Sequence, residues 1–312
     1  MVKTIDPIIA LTPYLMPMRC DAQVMLKLQV DYEKLARYIA QKGSEGYRFS
    51  FMDIFFSAYV RTVAQLPDLN RFIANKRIYA RNELTISFVV LQDTKDGSVK
   101  ENTIKCKFDP HDTIYDVAAR TNAAIVAGRN EEVDNNTMKL AKLLLNPILA
   151  NVIVGAARLL DRYGLMPRFI HEASPFHTSL FFTNMASIGM PAVNHHIYNF
   201  GTTSVFLSIG AVERQVVINE AGQPQRKRML PLGITADERV CAGMVYSQMV
   251  ATVTRYLADP SLLEKPPERV LFDENNYYGL PPAPRHKFLP RLRNITRLGR
   301  RRRKADRSDL AG

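Results

Sequence analysis

The segment from residue 230 to residue 257 constrains the fold of this chain more than any other feature. A strand-like run at 230–236 leads through a short turn into an apolar helical pattern at 240–257. The turn carries the charged triplet Asp237-Glu238-Arg239. A helix start favours a carboxylate, because the helix dipole and the unpaired N–H groups of its first turn attract negative charge. The turn is therefore the first candidate site.

The rest of the pattern mixes helices and strands, without regular alternation or a repeat of fixed period. Helical patterns lie at 32–41, at 50–67 with Ser50 as the cap, at 112–127 with Asp112 as the cap, and at 137–160. Strand patterns lie at 77–80, 84–91, 100–108, 178–184, 204–212 and 215–219. This order predicts an α+β fold, a two-layer sandwich of one mixed β-sheet with helices packed on one face. We expect a core domain at 1–262 and a disordered Pro/Arg-rich C-terminal extension at 263–312.

Composition narrows the class of protein. The chain has 312 residues, of which 46% are hydrophobic, so it can bury a sizeable core. Its three cysteines are widely separated, which predicts neither a disulfide framework nor a zinc site. The N-terminus shows no export signal. We therefore expect a cytoplasmic protein, with peripheral membrane contact as a second option.

Most of the formal net charge of +12 lies after residue 284, where eleven Lys or Arg and two Asp give a net charge of +9. The densest basic run extends from Arg300 to Lys304. Such a run is usually a solvated, disordered segment. The alternative is that it binds an anionic partner, either RNA or an anionic membrane surface.

The turn also resembles a known active site. Residues 235–243 are similar to the His-x-x-x-Asp-Gly turn of the chloramphenicol acetyltransferases and of the dihydrolipoamide acyltransferase cores of 2-oxo acid dehydrogenase complexes. Glu238 occupies the His position and Ala242 the Asp position. Three further segments resemble these cores in the same order, at 67–70, 179–185 and 205–212. The resemblance covers roughly residues 13–260, so we expect neither a lipoyl domain nor a subunit-binding domain before it.

The resemblance implies acyl transfer from a coenzyme A thioester in a channel between the subunits of a homotrimer, with no metal. Such chemistry needs a general base and a hydrogen-bond donor facing the tetrahedral oxyanion. Carried over by position, the base is Glu238 and the donor is Thr183, with Asn184 beside it. At neutral pH a carboxylate is a weak base unless burial raises its pKa. Glu238 can instead be an ordinary helix-start carboxylate.

The change to Ala242 removes the Asp that pairs with an arginine in the family, so Arg239 needs another partner. Neighbouring His195 and His196 offer a second proton shuttle, although at most one of them can face a given pocket. We take His196 as the catalytic candidate, the alternative being a loop histidine bonded to the backbone. His177 is a weaker candidate.

Cys241 and the apolar run at 140–160 each have two interpretations. Cys241 lies in the turn, where a helix N-terminus can lower its pKa, or it is simply buried. The apolar run at 140–160 is interrupted by polar residues and is too short to span a bilayer. It predicts a buried or subunit-contacting helix, with shallow membrane insertion as the alternative.

The primary hypothesis is an acyltransferase that moves an acyl group from coenzyme A to a small-molecule hydroxyl or thiol acceptor. The alternative is a catalytically inactive trimeric scaffold whose basic tail binds an anionic partner. A complete dehydrogenase-complex core is the third option, and it would need lipoyl modules on another chain.

Overall fold

A computed structural model describes residues 1–93, 99–130, 145–218, 221–273, 278 and 280. The described helices are α1 Pro7–Leu15, α2 Tyr32–Ser44, α3 Phe51–Gln65, α4 Ile114–Asn130, α5 Pro147–Tyr163, α6 Arg168–Ala173 and α7 Gly243–Ala258. The strands are β1 Gln23–Asp31, β2 Arg71–Ala74, β3 Arg77–Ala80, β4 Leu84–Asp93, β5 Val99–Phe108, β6 Leu180–Asn184, β7 Val205–Ile209, β8 Glu213–Ile218 and β9 Pro224–Asp237.

Seven of these strands form one mixed sheet in the order β1-β9-β7-β6-β4-β5, with β8 paired to the other end of β9. Strands β4, β6 and β7 run parallel, and the remaining pairs are antiparallel. β2 and β3 form a separate hairpin. The α+β fold with a mixed sheet is therefore confirmed.

One face of the sheet carries the main core. Alternate side chains of the central strands, such as Phe88, Phe182 and Ile234, point to this face and are buried. Helices α2, α3, α4 and α7 cover them, and α3 is buried on nearly its whole circumference. Ser50 caps α3, as the sequence predicts, and the structure adds a capping box with Asp53.

The opposite face is covered by the chain between β6 and β7. Ser208 on β7 accepts a hydrogen bond from the Val193 amide and donates one to the Val193 carbonyl. Gly233 on β9 allows this close approach, since a Cβ atom there would lie 2.3 Å from the Val193 carbonyl oxygen. This segment also contains the two neighbouring histidines.

Three expectations about elements are wrong in detail. Asp112 does not cap α4; its carboxylate binds Arg120 and the Asp109 amide, and Thr113 with Asp116 forms the cap. Within the described residues, the helix predicted at 137–160 begins at Pro147, where Asn146 caps it; residues 137–144 lie outside the described residues. α5 has no buried residue, so a helix buried within the chain is excluded.

The sequence patterns also missed α1, β1 and β2. The predicted domain boundary at residue 262 stays a prediction, although residues beyond it contact the core. The Asp273 carboxylate accepts hydrogen bonds from Arg71, and the Tyr278 hydroxyl accepts one from Asn70. Within the described part of the chain, no helix has the length and apolarity to cross a membrane.

Candidate active site at the β9–α7 turn

The turn between β9 and α7 is held by a buried ion pair. The Arg239 guanidinium donates two hydrogen bonds to the Asp237 carboxylate, at 2.8 Å from Nε and 2.7 Å from Nη2. Arg19 lies on the other side of this carboxylate, with its Nε 3.5 Å from Asp237 Oδ2. The Tyr246 hydroxyl donates to the Asp237 carbonyl at 2.7 Å. The partner that Arg239 was expected to need is therefore Asp237.

Ala242 lies at the start of α7 and takes no part in the ion pair of the turn. It is the N-cap of α7, with extended backbone and no side-chain hydrogen bond to the helix. The turn keeps its shape because Asp237 binds the arginines and the Glu238 amide donates to the Ala22 carbonyl at 2.9 Å. The turn is thus ordered although residue 242 is alanine and not aspartate.

Glu238 borders a largely apolar pocket of about 600 Å³. The walls come from α1, the first part of β1, the turn and the first turns of α7, including Ile9, Val24, Leu26 and Val250. Thr12 and Ser247 add hydroxyl groups. The Glu238 side chain itself is exposed in the single chain. The pocket offers an apolar surface and one carboxylate at its edge.

Thr183 and Asn184 lie at the end of β6, far from Glu238 in the same chain. Thr183 is in register with Ser208, which is in register with Gly233 on β9. Glu238 follows Gly233 by five residues, about 16 Å along the strand. Thr183 is half-buried and donates weakly to the Met185 sulfur at 3.7 Å. One copy of the chain therefore does not bring the predicted base and the predicted oxyanion donor together.

The rings of the two neighbouring histidines lie side by side, stacked with their centroids 4.6 Å apart. The His195 ring stacks on Phe206 with centroids 4.1 Å apart, and its Nδ1 lies 2.7 Å from the His196 carbonyl oxygen. His196 is exposed, and its ring contacts Tyr198 edge-on at 4.8 Å. Neither borders the pocket at Glu238. The catalytic assignment of His196 stays a prediction, and the structure adds no contact that favours it.

His177 is a structural residue. Its ring is buried between Asp161, with Nε2 2.7 Å from Oδ1, and Ser174, with Nδ1 2.8 Å from Oγ. The Asp161 carboxylate also accepts the Gly201 amide at 2.8 Å. Through its hydrogen bonds with His177 and the Gly201 amide, Asp161 holds α5 against the loops that precede β6 and β7. Within the described residues, no group of three or more metal-ligating side chains occurs.

Cys241 is buried, and burial raises its pKa to about 12. The apolar surroundings thus outweigh any effect of the helix N-terminus, and the interpretation of a simple buried cysteine is confirmed. Cys241 lines the Glu238 pocket as an apolar group.

Sequence reasoning missed two contributors to the turn. Arg19 contacts Asp237 although it is 218 positions away, and α1 supplies one wall of the pocket. No local pattern marks such a distant ion pair. A Pro-bounded apolar segment before β1 was the one signal for α1, and Asp6 caps it by accepting from the Ile8 amide.

Comparisons with known proteins agree with this geometry. Residues 178–264 match the family model described as 2-oxoacid dehydrogenases acyltransferase (catalytic domain), a range that includes both β6 and the turn. The probable dihydrolipoamide acetyltransferase of Listeria monocytogenes has a similar structure, with 14% sequence identity over 82% of this chain and 93% of that chain and a TM-score of 0.51. A chloramphenicol acetyltransferase aligns with 12% identity over 82% of this chain and 100% of that chain, with a TM-score of 0.47. No curated protein sequence matches.

The chain therefore has the fold of an acyltransferase catalytic core. The resemblance predicted from the sequence, to the 2-oxo acid dehydrogenase acyltransferases, is confirmed.

Proposed function

We propose that this protein is an acyltransferase that moves an acyl group from a coenzyme A thioester to a hydroxyl or thiol acceptor, with Glu238 as the general base. The observation that carries the proposal is the position of Glu238 at the edge of an apolar pocket of about 600 Å³, within the region that matches the family model. An apolar pocket next to a single carboxylate suits an acyl chain and an acceptor that must lose a proton.

A second copy of the chain is part of this proposal. Thr183 and Glu238 lie about 16 Å apart along the strands of one copy, too far to act on one reacting carbonyl. A homotrimer solves this, because Thr183 of one copy faces Glu238 of the next across the interface. Thr183 then donates to the oxyanion and Asn184 supports it. Contact between copies excludes water from the site.

The test is acceptor-dependent release of free coenzyme A from acetyl-coenzyme A by the purified full chain. With a hydroxyl acceptor, a thiol reagent detects the released coenzyme A, and Cys20 is replaced by serine to remove the exposed protein thiol. With a thiol acceptor, each transfer consumes one thiol and releases another, so coenzyme A is measured there by chromatography. We expect Glu238→Gln to lower the rate at least about a hundredfold, the usual contribution of a positioned base. Thr183→Ala should lower kcat with little change in KM.

Glu33→Gln is the matched control, since Glu33 is also an exposed glutamate but lies in the first turn of α2, outside the Glu238 pocket. It should leave the rate unchanged. Equal rates for the unmodified chain and Glu238→Gln would remove Glu238 from the mechanism. His196→Gln tests the remaining histidine candidate in the same assay.

One observation favours the alternative function, a catalytically inactive scaffold. Glu238 is exposed in the single chain and Ala242 offers no second carboxylate to the turn. A fully solvated carboxylate is a poor base. If calorimetry shows no coenzyme A binding while light scattering shows a trimer, the scaffold is the better description. Its anionic partner, RNA or an anionic membrane surface, would then bind the basic run from Arg300 to Lys304.

A further inference from the structure

A second pocket, of about 390 Å³, lies behind the turn and is separate from the Glu238 pocket. Its walls come from the β2–β3 hairpin, the segment before β1, the last turns of α5 and residues 199–201. We call it the basic pocket, because Arg19, Lys76, Arg158, Arg162 and Arg239 line it.

The basic pocket has far more positive than negative charge. Asp161 is its one lining carboxylate, and His177 and the Gly201 amide already occupy it. Among the described residues, Arg158, Arg162 and Lys76 form no ion pair with a carboxylate. Unpaired cations grouped in a concave site attract anions, since the low-dielectric walls focus the field.

One of these cations is buried and has a donor that makes no hydrogen bond. The Arg19 side chain is 5% exposed, and its Nε has no hydrogen-bond partner among the described residues. The Asn199 amide oxygen accepts from the Arg19 backbone N–H at 2.9 Å, and the Tyr198 carbonyl accepts from Nη1 at 2.8 Å. The Asp237 carboxylate also binds Arg239, whose Nη2 lies 2.7 Å from Oδ2, whereas the Arg19 Nε lies 3.5 Å from the same oxygen. The Arg19 Nε is thus a buried donor whose nearest negative charge is a shared carboxylate at 3.5 Å, and such a donor can bind a further acceptor.

We propose that the basic pocket binds the phosphate group of a phosphate monoester or diphosphate. Guanidinium groups recognise phosphate oxygens with paired hydrogen bonds, and Arg19, Arg158 and Arg162 supply three of them around one cavity. The hairpin turn at Asn75 and Lys76 adds an ammonium group on a backbone with positive φ at both residues. The volume leaves room for the phosphate and part of the group that it esterifies.

The same phosphate chemistry has two sources, a soluble metabolite or a lipid headgroup. α5 carries Arg158 and Arg162 and also presents Ile148, Val152 and Leu159 to solvent, at exposures of 75%, 63% and 58%. These apolar residues recur at helical spacing beside the arginines, an arrangement that also suits a membrane surface. The experiment therefore includes a soluble arm and a vesicle arm.

The proposal does not depend on acyl transfer, because the two pockets share no lining residue. Inorganic phosphate and pyrophosphate are titrated into the full chain by calorimetry. Vesicles of phosphatidylcholine alone and with phosphatidic acid are tested by co-sedimentation. The variant is Arg158→Gln with Arg162→Gln, two exposed residues whose loss leaves the core intact.

The control is Arg168→Gln with Arg226→Gln, which removes the same charge from exposed positions outside the basic pocket. Both double variants keep the basic C-terminal run, so a difference in binding between them does not come from that run. We expect pyrophosphate to bind the unmodified chain and the control equally and the pocket variant at least tenfold more weakly. Loss of phosphatidic acid binding by the pocket variant alone, without soluble binding, also supports the proposal and assigns the phosphate to a headgroup. No binding in either arm, or equal binding by both double variants, overturns it.

Discussion

Arg239 and Asp237, two residues apart in the sequence, form a bidentate ion pair with side-chain exposures of only 3% and 1%. The family pattern would place an Asp at position 242 for an arginine of this turn, but here residue 242 is alanine. The chain instead uses a carboxylate at the end of β9. The turn is thus stabilised from the sheet side, and the start of α7 is left without a charged group.

Asp237→Asn should destabilise the protein by about 3–5 kcal/mol, the usual cost of removing one partner from a buried ion pair. Arg239 and Arg19 would then both be buried without a full negative charge. The free energy of unfolding from chemical denaturation measures the effect. Asp21→Asn, an exposed matched change, should cost less than about 0.5 kcal/mol. Equal losses in the two variants would show that the pair contributes little.

Ala242→Asp should stabilise the protein by about 1 kcal/mol, because Ala242 is the N-cap of α7 and makes no capping hydrogen bond. An Asp at this position accepts from the first free N–H groups and interacts favourably with the helix dipole. Ala258→Asp is the control, as it places the same charge at the C-terminal end of α7 and should destabilise slightly. Thermal unfolding of the two variants should move in opposite directions.

Local sequence signals predicted most elements of the fold. The Ser50 cap and the strand patterns at 84–91 and 100–108 predicted α3, β4 and β5 nearly to their ends. Strand β1 was missed, although residues 23–31 pair with β9 along their whole length. Its apolar residues Val24, Leu26, Leu28 and Val30 alternate with the exposed Met25, Lys27 and Gln29, so the strand pattern was present in the sequence and was overlooked.

The site was predicted less completely than the fold. The turn was found because its residues are contiguous and resemble a known motif. The ion pair between Arg19 and Asp237 and the wall formed by α1 arise from tertiary packing, which no local pattern encodes. The position of Thr183 relative to Glu238 likewise follows from strand register. The catalytic roles of Glu238, Thr183, Asn184 and His196 stay predictions.

Cys20 should be the one cysteine that reacts quickly with a thiol reagent in the folded protein. It is exposed, whereas Cys106 and Cys241 are buried and burial raises the pKa of each to about 12. Thiolate is the reactive form, so the buried pair should react only on unfolding. One equivalent should appear in native buffer and three in denaturant. Cys20→Ser should abolish the native signal, and a persistent fast signal in this variant would show that a buried cysteine is accessible.

His171 should make the protein less stable as the pH falls from about 6.5 to about 4. Burial, together with the charges of His177 and Lys105, lowers the pKa of His171 from 6.5 to about 4 in the folded state. Between these values the unfolded chain binds a proton that the folded chain does not, so the free energy of unfolding decreases on acidification. Above pH 6.5 the effect is absent, and below pH 4 it is constant.

His171→Gln should remove this part of the pH dependence, measured as the denaturation midpoint at pH 7.5, 5.5 and 4.5. His196→Gln, a change at an exposed histidine, should retain it. A parallel fall in stability for His171→Gln and the unmodified chain over this range would assign the acid sensitivity to other groups.

The Asp161 carboxylate is the next candidate for acid sensitivity. Burial alone would raise its pKa, but hydrogen bonds from His177 and the Gly201 amide hold it below its usual range. Its contribution is therefore present above the carboxyl pKa of the unfolded chain and is lost only as the pH falls further, through the lower folded-state value.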